Sequence, residues 1–273
     1  MLNIIIGARS NLSIHLANEI DNCLLISSKS IDNELASINW DEVQNANLIL
    51  NQFQPSFMLN DLSSPINYIN NSILSTSRIL EFVKNNKAKF NKIIYTSSSS
   101  VYGRNKLCNE SDTCMPISLY AALKLANEHL VSSFCSVENI EYTVTRVFNM
   151  YGGNDRFSII SKLVNAINNN TEITLINNGS AIRDFVYIDD VVKAYKSILA
   201  CNKLPIVNIA SGEGISINSI LEFLNKKGFI VKYKNIKKEE VGISIADNTK
   251  LKKLCQFHDF NSLEEHLIKS LKK

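Results

Sequence analysis

The chain has 273 residues, 45% of them hydrophobic and 20% charged, with a formal net charge of +3. That balance fits a globular protein able to bury a full core and excludes a disordered regulator, which lacks such apolar content. A charge this mild also excludes a nucleic-acid binder working through a concentrated basic footprint. No apolar run reaches the roughly 18 residues a transmembrane helix needs, so no membrane span is expected. Met1-Leu-Asn-Ile-Ile-Ile-Gly7 does not read as a signal peptide. The cysteines, at 23, 108, 114, 135, 201 and 255, include no Cys-x-x-Cys pair. They read as reduced thiols of a cytoplasmic protein. The histidines, at 15, 129, 258 and 266, make no ligand cluster with them, so no metal is expected.

In chain order, Leu2 to Ile6 is a compact apolar strand ending at Gly7, Leu12 to Ile20 has helical spacing, and Cys23 to Ile26 is a second strand. Leu48 to Leu50 and Lys92 to Tyr95 read as further strands, with a helix from Tyr68 to Val83 between them. Strand, helix and strand repeated in this way predict an α/β fold: a doubly wound parallel sheet of the Rossmann type, covered on both faces. Polar loops close this first domain near Gly152-Gly153, giving boundaries of 1–153 and 154–273. The second, smaller α/β lobe reads as helix (Phe157 to Ile167), strand (Ile173 to Ile176) and a turn at Asn177-Asn178-Gly179. It continues with helix (Asp189 to Leu199), strand (Ile206 to Ile209) and two helices (Ile217 to Leu224, Leu263 to Leu271). Segment 184–210 is expected to pack back on the first domain.

In a doubly wound fold the ligand sits where the first strand turns into a helix. That turn is Gly7-Ala-Arg9-Ser10-Asn11-Leu12-Ser13, with serine at the two later positions where a dinucleotide fingerprint has glycine. Serine is small and can donate to phosphate, so the site is weakened rather than excluded; alone, the turn is equally a plain strand-to-helix connection. An NAD site normally has a carboxylate at the end of the second strand. Here the chain reads Ile26-Ser27-Ser28-Lys29-Ser30, with Arg9 in the preceding loop. Cations and hydroxyls suit a 2′-phosphate, so NADP(H) is the expected cofactor; the bland reading is that Lys29 and Arg9 are solvated charges.

Tyr120-Ala-Ala-Leu-Lys124 places a phenol and an ammonium four residues apart, on one face of a helix. A neighbouring ammonium favours the phenolate and so suits the phenol to proton exchange with a carbonyl or alcohol. Such a pair occurs often by chance, but it has company. Upstream stands Tyr95-Thr-Ser-Ser98-Ser99-Ser100-Val101-Tyr102-Gly103, and downstream Arg146-Val-Phe-Asn149-Met-Tyr151-Gly152 and Gly179-Ser-Ala-Ile-Arg183-Asp184-Phe185-Val-Tyr-Ile-Asp189. Asn208-Ile-Ala-Ser-Gly212 and Ala246-Asp247 follow. In this order the segments resemble the extended short-chain dehydrogenase/reductase family of nucleotide-sugar enzymes over essentially the whole chain.

The resemblance implies Tyr120 as general acid/base, Lys124 as the residue that tunes it and holds the nicotinamide ribose, and Ser98 as the hydroxyl bonded to the reacting oxygen. Gly7, Arg9, Ser10, Asn11, Leu12, Ser27, Ser28, Lys29 and Asn51 are the further cofactor candidates. Ser99, Ser100, Asn149, Arg183, Lys237 and Glu240 are the candidates for a nucleotide-diphosphate sugar. Tyr151 and Phe185 read as core or pocket wall. The sequence departs from the family at its glycine loop and at Leu50-Asn51-Gln52-Phe53-Gln54-Pro55, where His-x-Ala-Ala is usual; Asn70 and Asn71 lie near the family's helical asparagine.

Family dehydratases carry Asp-Glu at the positions of Ser99 and Ser100, which argues against elimination of water. With neither a glycine loop nor a ribose carboxylate in view, the expected reaction is NADPH-dependent reduction of a nucleotide-activated 4-keto-6-deoxyhexose, serving a surface polysaccharide such as the O-antigen of lipopolysaccharide. An NAD-dependent nucleotide-sugar 4-epimerase and a non-catalytic dinucleotide binder are the alternatives. A homodimer through the helices carrying Tyr120 and Tyr68 to Val83 is usual for the family.

Overall fold

The computed structural model describes residues 1–28, 30–51, 63–86, 89–256 and 259–271. In chain order the strands are β1 (Leu2–Ile6), β2 (Cys23–Ile26), β3 (Ala46–Leu50), β4 (Phe90–Ser98), β5 (Leu107–Cys108), β6 (Glu141–Val147), β7 (Asn149–Tyr151), β8 (Glu172–Ile176), β9 (Ile182–Tyr187), β10 (Ile206–Ile209), β11 (Gly214–Ser216), β12 (Lys232–Ile236) and β13 (Ile243–Ala246). The helices are α1 (Asn11–Glu19), α2 (Ile31–Ala36), α3 (Pro65–Ile69), α4 (Ser75–Asn85), α5 (Leu119–Glu138), α6 (Ile159–Asn169), α7 (Ile188–Ala200), α8 (Ile217–Lys226), α9 (Thr249–Cys255) and α10 (Leu263–Leu271).

Two compact units result, interleaved in sequence. The first comprises Met1–Gly103, Thr113–Arg146 and Val192–Val207; the second comprises Arg104–Asp112, Val147–Val191 and Asn208–Lys273. The first unit is organised on a six-stranded sheet of order β10-β6-β4-β3-β1-β2. β1 pairs in parallel with both β2 and β3, and β3 in parallel with β4. Parallel neighbours require crossover helices, which bury the strands on both faces; hence the uninterrupted apolar runs. Ile4, Ile6, Leu48, Leu50 and Ile93 are fully buried there. Strand order reverses beside β1, so the carboxyl ends of β1 and β3 form the switch point at which such sheets take ligands.

β6 went unread in the sequence because its inward residues are polar: Thr143, Thr145 and Arg146 are all buried. Thr145 is matched by a 2.8 Å hydrogen bond with the Tyr195 hydroxyl. Between α3 and α4 the helix widens into a π-helical turn over Asn70–Leu74, the kind of irregularity often found at functional sites.

The second unit holds a sheet of order β11-β9-β13-β5, with β7 pairing β9, and a separate two-stranded parallel sheet of β8 and β12. Its core gathers Tyr151, Leu163, Phe185, Leu224 and Leu267. Fully buried Asp184 fastens the loop after β10. Its carboxylate accepts from the Ser211 amide at 2.9 Å and hydroxyl at 2.8 Å, the Gly212 amide at 2.9 Å and the Ala246 amide at 3.2 Å. Among the described residues, no helix is long and apolar enough to cross a membrane, and no cluster of His, Cys, Asp or Glu could hold a metal ion.

Candidate active site

Three successive residues ending β4 meet three residues on one face of α5. Ser98 and Tyr120 share a hydrogen bond, the Lys124 ammonium donates to the Thr96 carbonyl at 2.8 Å, and the Ser97 hydroxyl donates to Glu128. The contact is built locally. Ser118 caps α5 by accepting from the Ala121 amide at 3.2 Å, and the spacing i, i+4, i+8 stacks the three side chains along the helix. Past Ser98 the chain makes a 3-10 turn over Ser99–Tyr102, with the Ser98 hydroxyl accepting from the Ser100 amide at 3.2 Å. Gly103 closes the turn at φ +65°, where a Cβ would stand 1.9 Å from the Met115 carbonyl oxygen. Only glycine fits. The Ser100 hydroxyl oxygen is buried without a protein partner.

Burial sets the protonation here. It pushes the Tyr120 phenol up to about 12, with the Ser98 hydrogen bond pulling downward and the Tyr68 phenol adding to the rise. It pulls the Lys124 ammonium down to about 7, against the attraction of Glu128. The expectation that Lys124 would lower the Tyr120 pKa is therefore not met in the free protein. The ammonium nitrogen lies 6.0 Å from the Tyr120 ring centroid and 5.1 Å from that of Tyr95, and its bond is to the strand. Tyr120 keeps its proton at neutral pH in the free protein. Asn71, Asn127 and Tyr68 join Tyr120 and Lys124 around a cavity of about 10 Å³, room for one water.

At the end of β1, Gly7 sits at φ +107°. Ser10 caps α1, its hydroxyl accepting from the Ser13 amide at 3.0 Å. Both serines are tied to Asn51, whose Nδ2 donates to the Ser10 hydroxyl at 3.0 Å and the Ser13 hydroxyl at 2.8 Å. Asn51 is fully buried, and its Oδ1 has no protein partner. Of the other candidates in this loop, Arg9 is exposed, Asn11 opens α1, and the Leu12 side chain is buried in the fold, leaving only its backbone for a ligand.

The end of β2 differs from the sequence reading, which found no carboxylate there. Glu34 of α2 folds back so that its Oε2 accepts from the Ser27 amide at 3.1 Å, and it also accepts from the Ser30 hydroxyl. Ser28 is exposed beside it, and Lys29 lies outside the described residues, as do Gln52 to Pro55. The strand itself lacks an acid; the following helix supplies one.

In the second unit, the Asn149 amide donates to the Asp184 carbonyl at 3.0 Å. Arg183 and Glu240 form an ion pair at 3.3 Å, each about one-fifth exposed. Burial lowers the Arg183 pKa, and Glu240 opposes it. Lys237 is exposed; Tyr151 and Phe185 are buried.

A doubly wound sheet with a Ser–Tyr–Lys set beside its switch point defines a dinucleotide-dependent enzyme of the short-chain type. The chain belongs to the NAD dependent epimerase/dehydratase family, whose model matches residues 29–210. UDP-glucuronate 4-epimerase of Thermodesulfobacterium geofontis is 32% identical over 219 residues, spanning 77% of this chain and 67% of that protein. Protein CapI of Staphylococcus aureus is 33% identical over 187 residues, spanning 63% of this chain and 55% of that protein. dTDP-D-glucose 4,6-dehydratase of Dictyostelium discoideum is 32% identical over 183 residues, spanning 62% of this chain and 42% of that protein. The chain thus spans from about two-fifths to two-thirds of these relatives' lengths.

The fold is shared with UDP-glucuronic acid 4-epimerase from Bacillus cereus, solved with UDP-glucuronic acid and NAD. That match has a TM-score of 0.84 and 22% identity, and covers 100% of this chain and 98% of that one. UDP-glucose 4-epimerase of Thermus thermophilus, solved with NAD, matches at TM-score 0.85 and 17% identity, covering 98% and 99%.

These findings correct the expected reaction. The family and the relatives named for an activity are epimerases and dehydratases, which overturns the reading of a keto-sugar reductase. Glu34 also brings a carboxylate to the end of β2, where the strand itself has none.

Proposed function

We propose that the protein is an NAD-dependent nucleotide-sugar 4-epimerase acting on a UDP-hexose or UDP-hexuronic acid. The observation that carries this reading is the meeting of Ser98, Tyr120 and Lys124 at the end of β4. Serines at 99 and 100 favour epimerisation over dehydration, which needs a further acid and base.

The residues at the switch point fit a dinucleotide. The capped N-terminus of α1 suits a pyrophosphate, Asn51 Oδ1 offers an unused buried acceptor, and Glu34 suits the adenosine ribose hydroxyls. Gly7 and Ser10 would hold the phosphates, with Asn51 fixing Ser10 and Ser13 beside them, and Ser27 and Glu34 the adenosine end. NAD, when bound, would supply a cationic ring that reversibly accepts hydride from the sugar carbon. Tyr120 would take the proton of the sugar C4 hydroxyl as hydride leaves C4, and return it to the same oxygen once the 4-keto sugar has turned to receive the hydride on its opposite face, with Ser98 orienting that oxygen. Lys124 holds a positive charge beside Tyr120, which favours the phenolate when the cationic ring is also present. Asn149, Arg183, Lys237 and Glu240 would hold the nucleotide diphosphate. Ile66, Ile69 and Leu74, exposed along the chain from α3 into the π-helical turn, suit the helix-packed homodimer expected for the family.

The test is to denature the purified protein and assay released NAD, then to incubate native protein with UDP-glucose and with UDP-glucuronic acid. Formation of either C4 epimer, with NAD released on denaturation, supports the reading. Absence of both product and bound or bindable NAD refutes it.

A further inference from the structure

Glu128 takes no part in the proposed chemistry, yet it is densely bonded. It accepts from the Ser97 hydroxyl and from Arg146, whose Nε lies 3.2 and 3.3 Å from its two oxygens and whose Nη2 donates to Oε2 at 2.8 Å. Both side chains of this ion pair are 6% exposed. The guanidinium also lies 4.7 Å from the Tyr102 ring centroid. A buried ion pair is a poor stabiliser, because desolvation of both charges offsets their attraction and a well-packed apolar pair often does as well. Stability alone gives little reason to keep one here.

Its location supplies a reason. Thr96, Ser97 and Ser98 are consecutive, and each is bonded to one of Lys124, Glu128 and Tyr120. A shift of the β4 end along α5 would break all three rungs together. The Ser97–Glu128 rung is the one that Arg146 of β6 braces from the far side. We propose that Glu128 is a positioning residue: through Ser97, and braced by Arg146, it fixes the end of β4 against α5 so that Ser98 faces Tyr120 and Lys124 reaches Thr96.

A second consequence is electrostatic. Among the described residues, the titratable groups that face Lys124 include Tyr120 and Glu128 on its own helix, Tyr95 on β4 and Tyr68 on α3, with Arg146 behind Glu128. Glu128 is the one anion among them, and it favours the ammonium.

The inference rests on the epimerase reading for what the site does, so its test includes a measurement that needs no turnover. Ser97→Ala in the full chain removes the rung and leaves the ion pair. Turnover is expected to fall about 10- to 100-fold, as for a small misplacement of reacting groups, with KM and the NAD dissociation constant within about twofold of wild type. Unchanged turnover overturns the proposal, as does a fall in turnover matched by equal losses of NAD and substrate binding. Separately, the Lys124 titration is followed by NMR of ¹³C-labelled lysine, assigned by its absence in Lys124→Met. Glu128→Gln should move the midpoint down by about one pH unit or more; an unmoved midpoint overturns the electrostatic part. Should Glu128→Gln fail to fold, Ser97→Ala decides. If wild type shows no epimerisation, the proposed reaction fails, while the NMR titration still judges Glu128.

Discussion

Replacing Lys124 with methionine is expected to remove activity and raise stability at neutral pH. Lys124 is 4% exposed, and its ammonium titrates near 7 instead of 10.5. The folded protein therefore holds that proton less tightly than the unfolded chain does. At 1.36 kcal/mol per pH unit, burial of this lysine costs on the order of 4 kcal/mol at pH 7. Methionine keeps the apolar stem but leaves the Thr96 carbonyl without its donor, which takes back about 1–3 kcal/mol. The net gain is about 2 kcal/mol, or roughly 4–8 °C in Tm.

The sign of the pH dependence follows from the same linkage. Below pH 7 both folded and unfolded wild type carry the proton, and the penalty is full. Between about 7 and 10.5 only the unfolded chain keeps it, so the wild type gains about 1.4 kcal/mol per pH unit relative to the variant. Thermal melts of both proteins at pH 6, 7, 8, 9 and 10 check this. The variant's advantage should be flat from pH 6 to 7 and then shrink until the order reverses. A stability difference independent of pH, or a less stable variant at pH 7, would refute the reasoning.

Other perturbations test the remaining parts of the site. Tyr120→Phe should lower turnover by about 10²- to 10⁴-fold while leaving the dissociation constants of NAD and nucleotide sugar unchanged in titration calorimetry. Glu34→Gln removes the charge from the end of β2 and should tighten NADP binding about tenfold relative to NAD, read by cofactor fluorescence; an unchanged preference would mean that Glu34 does not face the adenosine ribose. Asp184→Asn turns one of two fully used acceptor oxygens toward amide donors. It should destabilise the second unit by about 2–3 kcal/mol, seen as faster proteolysis at the Ser211-Gly212 loop.

The doubly wound sheet was legible because parallel, doubly covered strands write themselves as apolar runs; Ile4-Ile5-Ile6 and Leu48-Ile49-Leu50 are of that kind. Tyr120 and Lys124 were legible because their relation is local, one helical turn. What escaped depends on partners distant in sequence. β6 carries Thr143, Thr145 and Arg146 inward, and distant partners such as Tyr195 and Glu128 make Thr145 and Arg146 tolerable. Glu128 lies one helical turn past Lys124, but its partner Arg146 is 18 residues away on β6. Glu34 misled most. The tip of β2 carries no acid, whereas α2 folds one back onto Ser27, and the reaction expected from that absence is the one corrected. Ser13 stands at a glycine position of the turn with nothing local to mark a role, yet Asn51 binds it as closely as it binds Ser10.

The account rests on hydride leaving and returning within one active site. The most direct measurement uses UDP-glucuronic acid and UDP-glucose deuterated at C4, incubated with wild-type protein and NAD but no reduced cofactor. The account predicts inversion at C4 with the deuterium retained there and no net change in NAD. Inversion with loss of deuterium to solvent would contradict it, as would no inversion of either sugar by protein that has NAD bound.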